Sequence, residues 1–243
     1  LHGSASQFQR AHVDLPRQLA EACARTGVRR VLHVSALGAS AQAPSLYQRS
    51  KAEGEAVLKQ AEQAGALALT VLRPSVIFGP EDRFLNLFAS LQRLLPVMPL
   101  AGAGARLQPV AVGNVADALM RCLAERDSAG HSFEACGPQA YTLRELVRLA
   151  GQYAGIRGGR GRPALALPHA LGYWQALALE MLPGRTLMSR DNLRSLGVDN
   201  VASGQLPGLA DLGITPTPLD ALAPEYLGAA GRAEFESLLE AAR

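Results

Sequence analysis

Aromatic side chains are scarce in this chain, with one Trp, five Tyr and six Phe among 243 residues. None lies within a cluster of Lys or Arg, so the stacking platform that single-stranded nucleic acid requires is missing and no nucleic-acid partner is expected. Cysteine is scarcer still. Cys23, Cys122 and Cys136 are an odd set with neither pairs nor metal-ligand spacing, which excludes a disulfide framework and reads as reduced thiols in a cytoplasmic protein. The histidines are scattered as well, so no metal site is expected. Charge of one sign is absent as a run, and 24 basic against 21 acidic residues leave only +3. The two longest uncharged runs, residues 31–48 and 163–179, are interrupted by Ser, Gly and Gln or by two Pro, a His and a Gln, and neither suits a bilayer span. No Gly-x-Ser-x-Gly elbow occurs, which disfavours a serine hydrolase.

What the chain does have is apolar content, 48% of residues, and enough length to bury a substantial core. Disorder is excluded on the same ground. Asp14, Pro16 and Gly27 read as N-cap, first turn and stop of a helix over residues 14–27. Residues 31–34 form an apolar run of strand type, residues 47–64 a helix stopped by Gly65, and residues 67–72 a second strand ended by Arg73 and Pro74. A helix over 84–95, a strand over 107–112, a helix to about residue 126 capped by Asn114, and a strand over 132–136 follow. Thr142 and Glu145 make a capping box that opens a helix to about residue 153. Apolar strands alternating with helices predict an α/β fold, a parallel sheet covered on both faces. After residue 156 the pattern changes to a basic Gly-rich loop, Arg157 to Arg162, and then Pro-punctuated helix and turn. Residues 1–155 are therefore expected to form one domain, and residues 156–243 a smaller, mostly helical portion.

The sharpest chemical constellation is Tyr47 and Lys51. Spaced i, i+4, they share one helix face, and an ammonium beside a phenol favours tyrosinate and lowers its pKa toward a value useful for proton transfer. Ser35, at the end of the preceding strand, is a candidate hydrogen-bond donor to the substrate oxygen whose proton Tyr47 exchanges. His33, mid-strand in an apolar run, is expected to be a hydrogen-bonded core histidine. Asp117 is expected to support its own helix.

Val34-Ser35, Tyr47-x-x-x-Lys51 and the run from Leu72 through Arg73, Pro74, Ser75, Val76 and Ile77 to Gly79 resemble the second half of an extended or atypical short-chain dehydrogenase/reductase, of the NAD-dependent epimerase/dehydratase kind. Residues 47–55 and 78–86 further resemble the Rossmann-type accessory subunit of respiratory complex I and its bacterial relatives. So do Val112 to Asp117, Tyr141 to Leu146, Arg190-Asp-Asn-Leu, Asp199-Asn-Val and Gly213-Ile-Thr-Pro216. The resemblance implies a Rossmann-like doubly wound sheet with a smaller C-terminal portion, and NADP or NAD as cofactor. It implies that Tyr47 is the acid/base, that Lys51 holds the nicotinamide ribose and tunes Tyr47, and that the backbone of Arg73, Pro74, Ser75 and Val76 passes close to the nicotinamide, with Gly79 in a tight turn. Arg83 would lie near the cofactor or, preferably, pair with Glu81 or Asp82.

Two departures stand out. The family's glycine-rich phosphate-binding turn after a first strand is missing, and residues 155–161, which follow a helix, are in the wrong context to replace it. Together with a first residue that is Leu rather than Met, this predicts a chain lacking its N-terminal strands, among them the element that chooses NAD or NADP. Where extended members carry a Ser-rich strand end, this chain reads Ser35-Ala36-Leu37, so Leu37 falls on the catalytic position, with Ser35 or Ser40 as substitutes.

Two functions fit. The first is an NAD(P)-dependent oxidoreductase or epimerase acting on a small or lipid-soluble substrate. The second is a non-catalytic nucleotide-binding scaffold or assembly protein of a respiratory membrane complex. The apolar segment from Leu165 to Leu182, with Trp174, Leu177 and Met181 at helical spacing and Arg185 and Arg190 beyond, reads as a helix over a substrate cleft or as a face resting on a membrane or partner subunit. The second use would place the protein on the inner face of a membrane.

Overall fold

The structure is a computed structural model and describes residues 3–181 and 188–228; Arg185, Leu182 and His2 lie outside them. The chain enters through one helical run in three parts. α1 (Ala5–Gln9) starts at a capping box in which the Ser4 hydroxyl accepts from the Gln7 amide and the Gln7 side chain accepts from the Ser4 amide. Arg10–Asp14 widen into a π-turn, and α2 (Leu15–Thr26) continues to Gly27, whose φ of 75° ends it. The expected N-cap at Asp14 is not formed. Asp14 is helical, and its carboxylate takes Gln9 and Arg17 instead. Pro16 accounts for the widened turn, because it has no N–H for the His12 carbonyl four residues back and its ring crowds that carbonyl.

The rest of the first half runs β1 (Arg30–Val34), α3 (Leu46–Gln63), β2 (Ala68–Pro74), β3 (Ile77–Phe78), α4 (Leu85–Leu94), β4 (Met98–Ala101), β5 (Arg106–Leu107), β6 (Val110–Ala111) and α5 (Val112–Ala124). The second half contributes β7 (Ser132–Ala135), β8 (Tyr141–Thr142), α6 (Leu143–Tyr153), β9 (Ala164–Leu167), α7 (His169–Met181), α8 (Arg190–Ser195) and α9 (Leu219–Leu227). The main sheet is parallel, in the order β1-β2-β7, with Val31 opposite Leu69 and Leu72 opposite Phe133. The expected strand over 107–112 is divided and joins none of it. Pro109 interrupts the run, β5 pairs antiparallel with β8, and β6 pairs parallel with β3. Asn114 is not a cap either. It lies inside α5 and its side chain accepts from the Thr217 amide. The Thr142–Glu145 capping box is formed as expected.

Helices cover both faces of the main sheet, as the near-continuous apolar strands require. Val31, Leu69 and Val71 pack with Ala20, Cys23 and Leu58 of α2 and α3. On the opposite face Leu72 and Phe133 pack with Val115, Ala118 and Cys122 of α5. A third cluster, including Phe78, Leu85, Leu146 and Leu219, joins α4, α6 and α9. Segments beyond residue 156 pack back on what precedes them: β9 pairs with β4, and Leu209 and Leu212 enter the α5 cluster. On its outer edge β1 has no described strand as neighbour, and Val34 at its end is exposed.

Candidate functional site

α3 starts where the C-terminal ends of β1 and β2 open. The Ser45 side chain accepts from the Gln48 amide, and Asp191, arriving from α8, accepts from the amides of Leu46 at 2.7 Å and Tyr47 at 3.0 Å. A carboxylate there meets the positive end of the helix. One turn on, Lys51 donates its Nζ to the carbonyl of Val34, 3.2 Å away, which ties that face of α3 to the end of β1. The Tyr47 ring packs edge-on against Phe8 and His12, with centroids 6.0 and 5.4 Å away. Ser50 donates to the Tyr47 carbonyl, so its one lone hydrogen is used and His12 Nδ1, 2.8 Å from Ser50 Oγ, must be the donor of that pair. The contact is close because Gly54 has no side chain. A Cβ there would fall on the His12 carbonyl oxygen.

The electrostatics differ from the expectation of a lowered Tyr47 pKa. Burial pushes the phenol up, and burial likewise pulls the Lys51 ammonium down, with Glu55 partly opposing it. His33 is not the hydrogen-bonded core histidine expected. Its Nε2 is buried without a partner, and burial followed by the Lys51 charge brings its pKa to about 4. His12 is likewise lowered to about 4, by burial, then Lys51, then His33.

Ser35 is 3% exposed, and its hydroxyl makes no hydrogen bond of ordinary geometry, although it lies near enough to the Glu55 carboxylate to help lower it. Leu37 is buried at 4% exposure, and Ser40 is occupied in its own turn with Gln42. The Arg73 guanidinium reaches into the protein, donating through Nε and a terminal nitrogen to the two oxygens of Glu55 at 2.8 and 2.5 Å. Glu55 is only 2% exposed; burial works against its charge, but these bonds hold its pKa below the usual carboxylate range. Pro74 is the last residue of β2, and its carbonyl accepts from the Leu37 amide. Ser75 donates its hydroxyl to Asn200 at 2.6 Å, and the Val76 carbonyl accepts from the Val110 amide. Gly79 serves packing rather than a turn of positive φ, since a Cβ there would stand 2.7 Å from the Val112 side chain. Arg83 forms no ion pair with Glu81 or Asp82 among the described residues. Asp82 instead accepts from the amides of Phe84 and Leu85, which opens α4, and from the Tyr226 hydroxyl.

Glu55 was legible in principle, since Tyr47, Lys51 and Glu55 stand at i, i+4 and i+8 on one helix face. Asp191, Asn200 and His12 had no local signal, because each acts across more than thirty residues of chain. As a holder of a dinucleotide, the cluster is half suited. Lys51 has two further N–H donors, and the Tyr47 hydroxyl makes no hydrogen bond among the described residues, which suits ribose hydroxyls. Among the described residues no glycine cradle for a pyrophosphate accompanies them.

A parallel sheet wound on both faces, with a Tyr–Lys pair at the carboxyl ends of its strands, defines a Rossmann-type protein of the dinucleotide-binding class. Residues 2–136 match the model of the NAD dependent epimerase/dehydratase family, and the chain belongs to that family. Among curated proteins it is 35% identical over 224 residues to mouse NADH dehydrogenase (ubiquinone) 1 alpha subcomplex subunit 9, covering 90% of this chain and 56% of that protein. The subunit of the same name from Arabidopsis thaliana is 31% identical over 214 residues, covering 83% and 50%. The chain thus spans about half the length of these relatives. Among solved structures, dTDP-glucose 4,6-dehydratase from Streptomyces venezuelae, with NAD bound, superposes with a TM-score of 0.66 at 18% identity, over 92% of this chain and 66% of that one. UDP-glucose 4-epimerase from Thermotoga maritima gives 0.65 at 15% identity, over 96% and 72%. These two likenesses are of fold.

Proposed function

We propose that this chain carries the nicotinamide–ribose half of a dinucleotide site and holds its nucleotide as a structural component of a respiratory membrane complex, peripheral to the membrane, without turning it over. The observation that carries this reading is the lack of an available hydroxyl beside Tyr47. Ser35 is buried, Leu37 is buried, and Ser40 is engaged elsewhere. A Tyr–Lys pair without that donor can grip a ribose but has nothing to hold a substrate oxygen against the phenol. A phenol pushed up by burial is also a poorer base. The names of the mitochondrial relatives favour the same reading. Among the described residues no helix is long and apolar enough to cross a membrane.

The second reading, an oxidoreductase or epimerase, is favoured by the Tyr47 hydroxyl, which makes no hydrogen bond among the described residues, one helix turn before Lys51. A bound NAD or NADP would supply the hydride chemistry, and Tyr47 would exchange the proton with a small carbinol or carbonyl. Calorimetric titration with NADH and NADPH, combined with turnover followed by nicotinamide absorbance, separates the two. The scaffold reading expects binding that weakens about tenfold in Lys51→Met, the loss of a charged hydrogen bond, and changes less than about twofold in Tyr47→Phe, with no turnover in either protein. Turnover that falls by about 10²–10⁴ in Tyr47→Phe establishes the enzyme instead. A folded chain that binds neither nucleotide overturns both.

A further inference from the structure

α7 is mostly apolar, with Gln175 and Glu180 as its polar exceptions beyond the first turn, and only one side of it is used by the fold. Gly172 and Ala176 face inward, where a Cβ on Gly172 would meet Ala101 of β4, and the Gln175 side chain donates to the Pro99 carbonyl. On the far side Leu171, Trp174, Ala178 and Met181 follow at three- and four-residue spacing, one stripe of a helix, and all are exposed, Trp174 at 64% and Met181 at 79%. The elements joined to α7 continue the pattern. β9 leads into it and exposes Leu165, while β4 pairs with β9 and follows directly on Leu94, which is 80% exposed, and Val97. Single exposed apolar residues are ordinary, whereas an exposed stripe along one helix, with more on the strands and helix end joined to it, marks a surface that something covers.

Acidic side chains are few in the segments that build this surface. Residues 83–116 and 155–179 contain no Asp or Glu at all. The loop before β9 carries Arg157 and Arg160, both exposed, and it is pinned beside Leu94 because the Arg162 amide and guanidinium bond to Gln92, the buried residue two places earlier. Glu180, the first carboxylate on α7, is neutralised by Arg190 at 2.8 Å. An aromatic and aliphatic face bordered by arginines and free of unpaired carboxylates matches the boundary of an anionic bilayer, in which Trp and Leu enter the acyl margin and guanidinium groups meet phosphates. A protein partner would have to be similarly apolar and anionic at once.

We propose that α7, β9 and the end of α4 form a monotopic docking face for an anionic phospholipid surface, with Trp174 inserted and Arg157 and Arg160 at the headgroups. This inference goes beyond the nucleotide site and does not depend on it. The chain has a single Trp, so its fluorescence reports on this face alone. Vesicles of phosphatidylglycerol mixed with phosphatidylcholine should shift the emission to the blue, and brominated acyl chains should quench it. Pure phosphatidylcholine should do so at least about tenfold more weakly, and salt should weaken the anionic case. Arg157→Gln with Arg160→Gln should raise the vesicle concentration needed by about thirtyfold, and Leu171→Ser with Met181→Ser should abolish the shift while leaving the circular dichroism unchanged. Emission that stays put at saturating anionic lipid overturns the proposal. So does a blue shift that appears on raising protein concentration without lipid, which would assign the face to a second copy of the chain. Neither result bears on the nucleotide titration.

Discussion

The two ends of this molecule break the usual rule of burial in opposite directions. At the base of α3 polar and ionisable groups have been taken inside: Glu55 against Arg73, His33 with an unpartnered nitrogen, Ser35 with an unpartnered hydroxyl. At α7 large apolar groups have been left outside. Exposed apolar residues and buried polar ones are the informative exceptions in a folded protein. The first kind of exception is expensive, since Glu55 depends on Arg73 and the two unpartnered groups give up their water without a replacement. The second costs the fold little and depends on nothing within it. A region of the first kind can position a small molecule to fractions of an ångström, whereas a region of the second kind can only adhere.

The comparison breaks most visibly at Glu55. Replacing it by Ala leaves Arg73 charged and largely buried, and the expected loss of stability is about 3–5 kcal/mol by urea denaturation. The double replacement Glu55→Leu with Arg73→Met should recover most of it, because two apolar groups need no partner. A single variant that costs nothing would mean the pair is not buried in solution. Acid should come next. The folded-state pKa of His33, about 4, lies below the ordinary 6.5, so the folded chain binds the proton more weakly than the unfolded one. Its contribution is full above about pH 6.5 and is lost as the pH falls toward 4, about 3 kcal/mol in all. His12 adds less, being screened by water. Thermal scans across that range should show the melting temperature falling, and His33→Gln should flatten the fall; a flat profile in the unaltered protein refutes the assignment.

Smaller effects sharpen the contrast. Gly54→Ala drives a methyl group into the His12 carbonyl and should cost about 2 kcal/mol, measured by denaturant midpoint. Unchanged stability would show that α3 and the π-turn do not touch. Asp191→Ala removes the carboxylate from the first amides of α3 and should cost about 1 kcal/mol. Asp191→Asn, which keeps an acceptor, should recover part of that, and equal losses in the two variants would argue against a capping role. At the other end, Trp174→Ser should change stability by less than about 0.5 kcal/mol in the absence of lipid, as an exposed residue does. A larger loss would mean that α7 is covered by the fold itself.

Much of the framework was legible because it is local. Gly27 and Gly65 end helices, the Thr142–Glu145 box opens one, and the apolar runs at 31–34 and 67–72 are strands of one parallel pair. Each of these signals is read within a few residues. The errors were local signals overruled from a distance. Asp14 has the chemistry of an N-cap, yet Ser4 had already opened the helix upstream. Asn114 has it too, yet its acceptor is used by Thr217 across the fold. The run 107–112 has strand character, yet Pro109 divides it and each half finds a different partner.

The site shows the same division. The amino-acid sequence by itself determined that Tyr47, Lys51 and Glu55 share one face, because helix periodicity places i, i+4 and i+8 together whatever surrounds them. It also determined that α7 is mostly apolar, since composition alone decides that. Only the tertiary structure decided that Ser35 is buried, that Arg73 turns inward to Glu55 and that Asp191 crosses the chain to cap α3. Only the tertiary structure, too, left the Trp174 side of α7 uncovered. Burial and partner choice are properties of the packed neighbourhood, and residues distant in the chain assemble it.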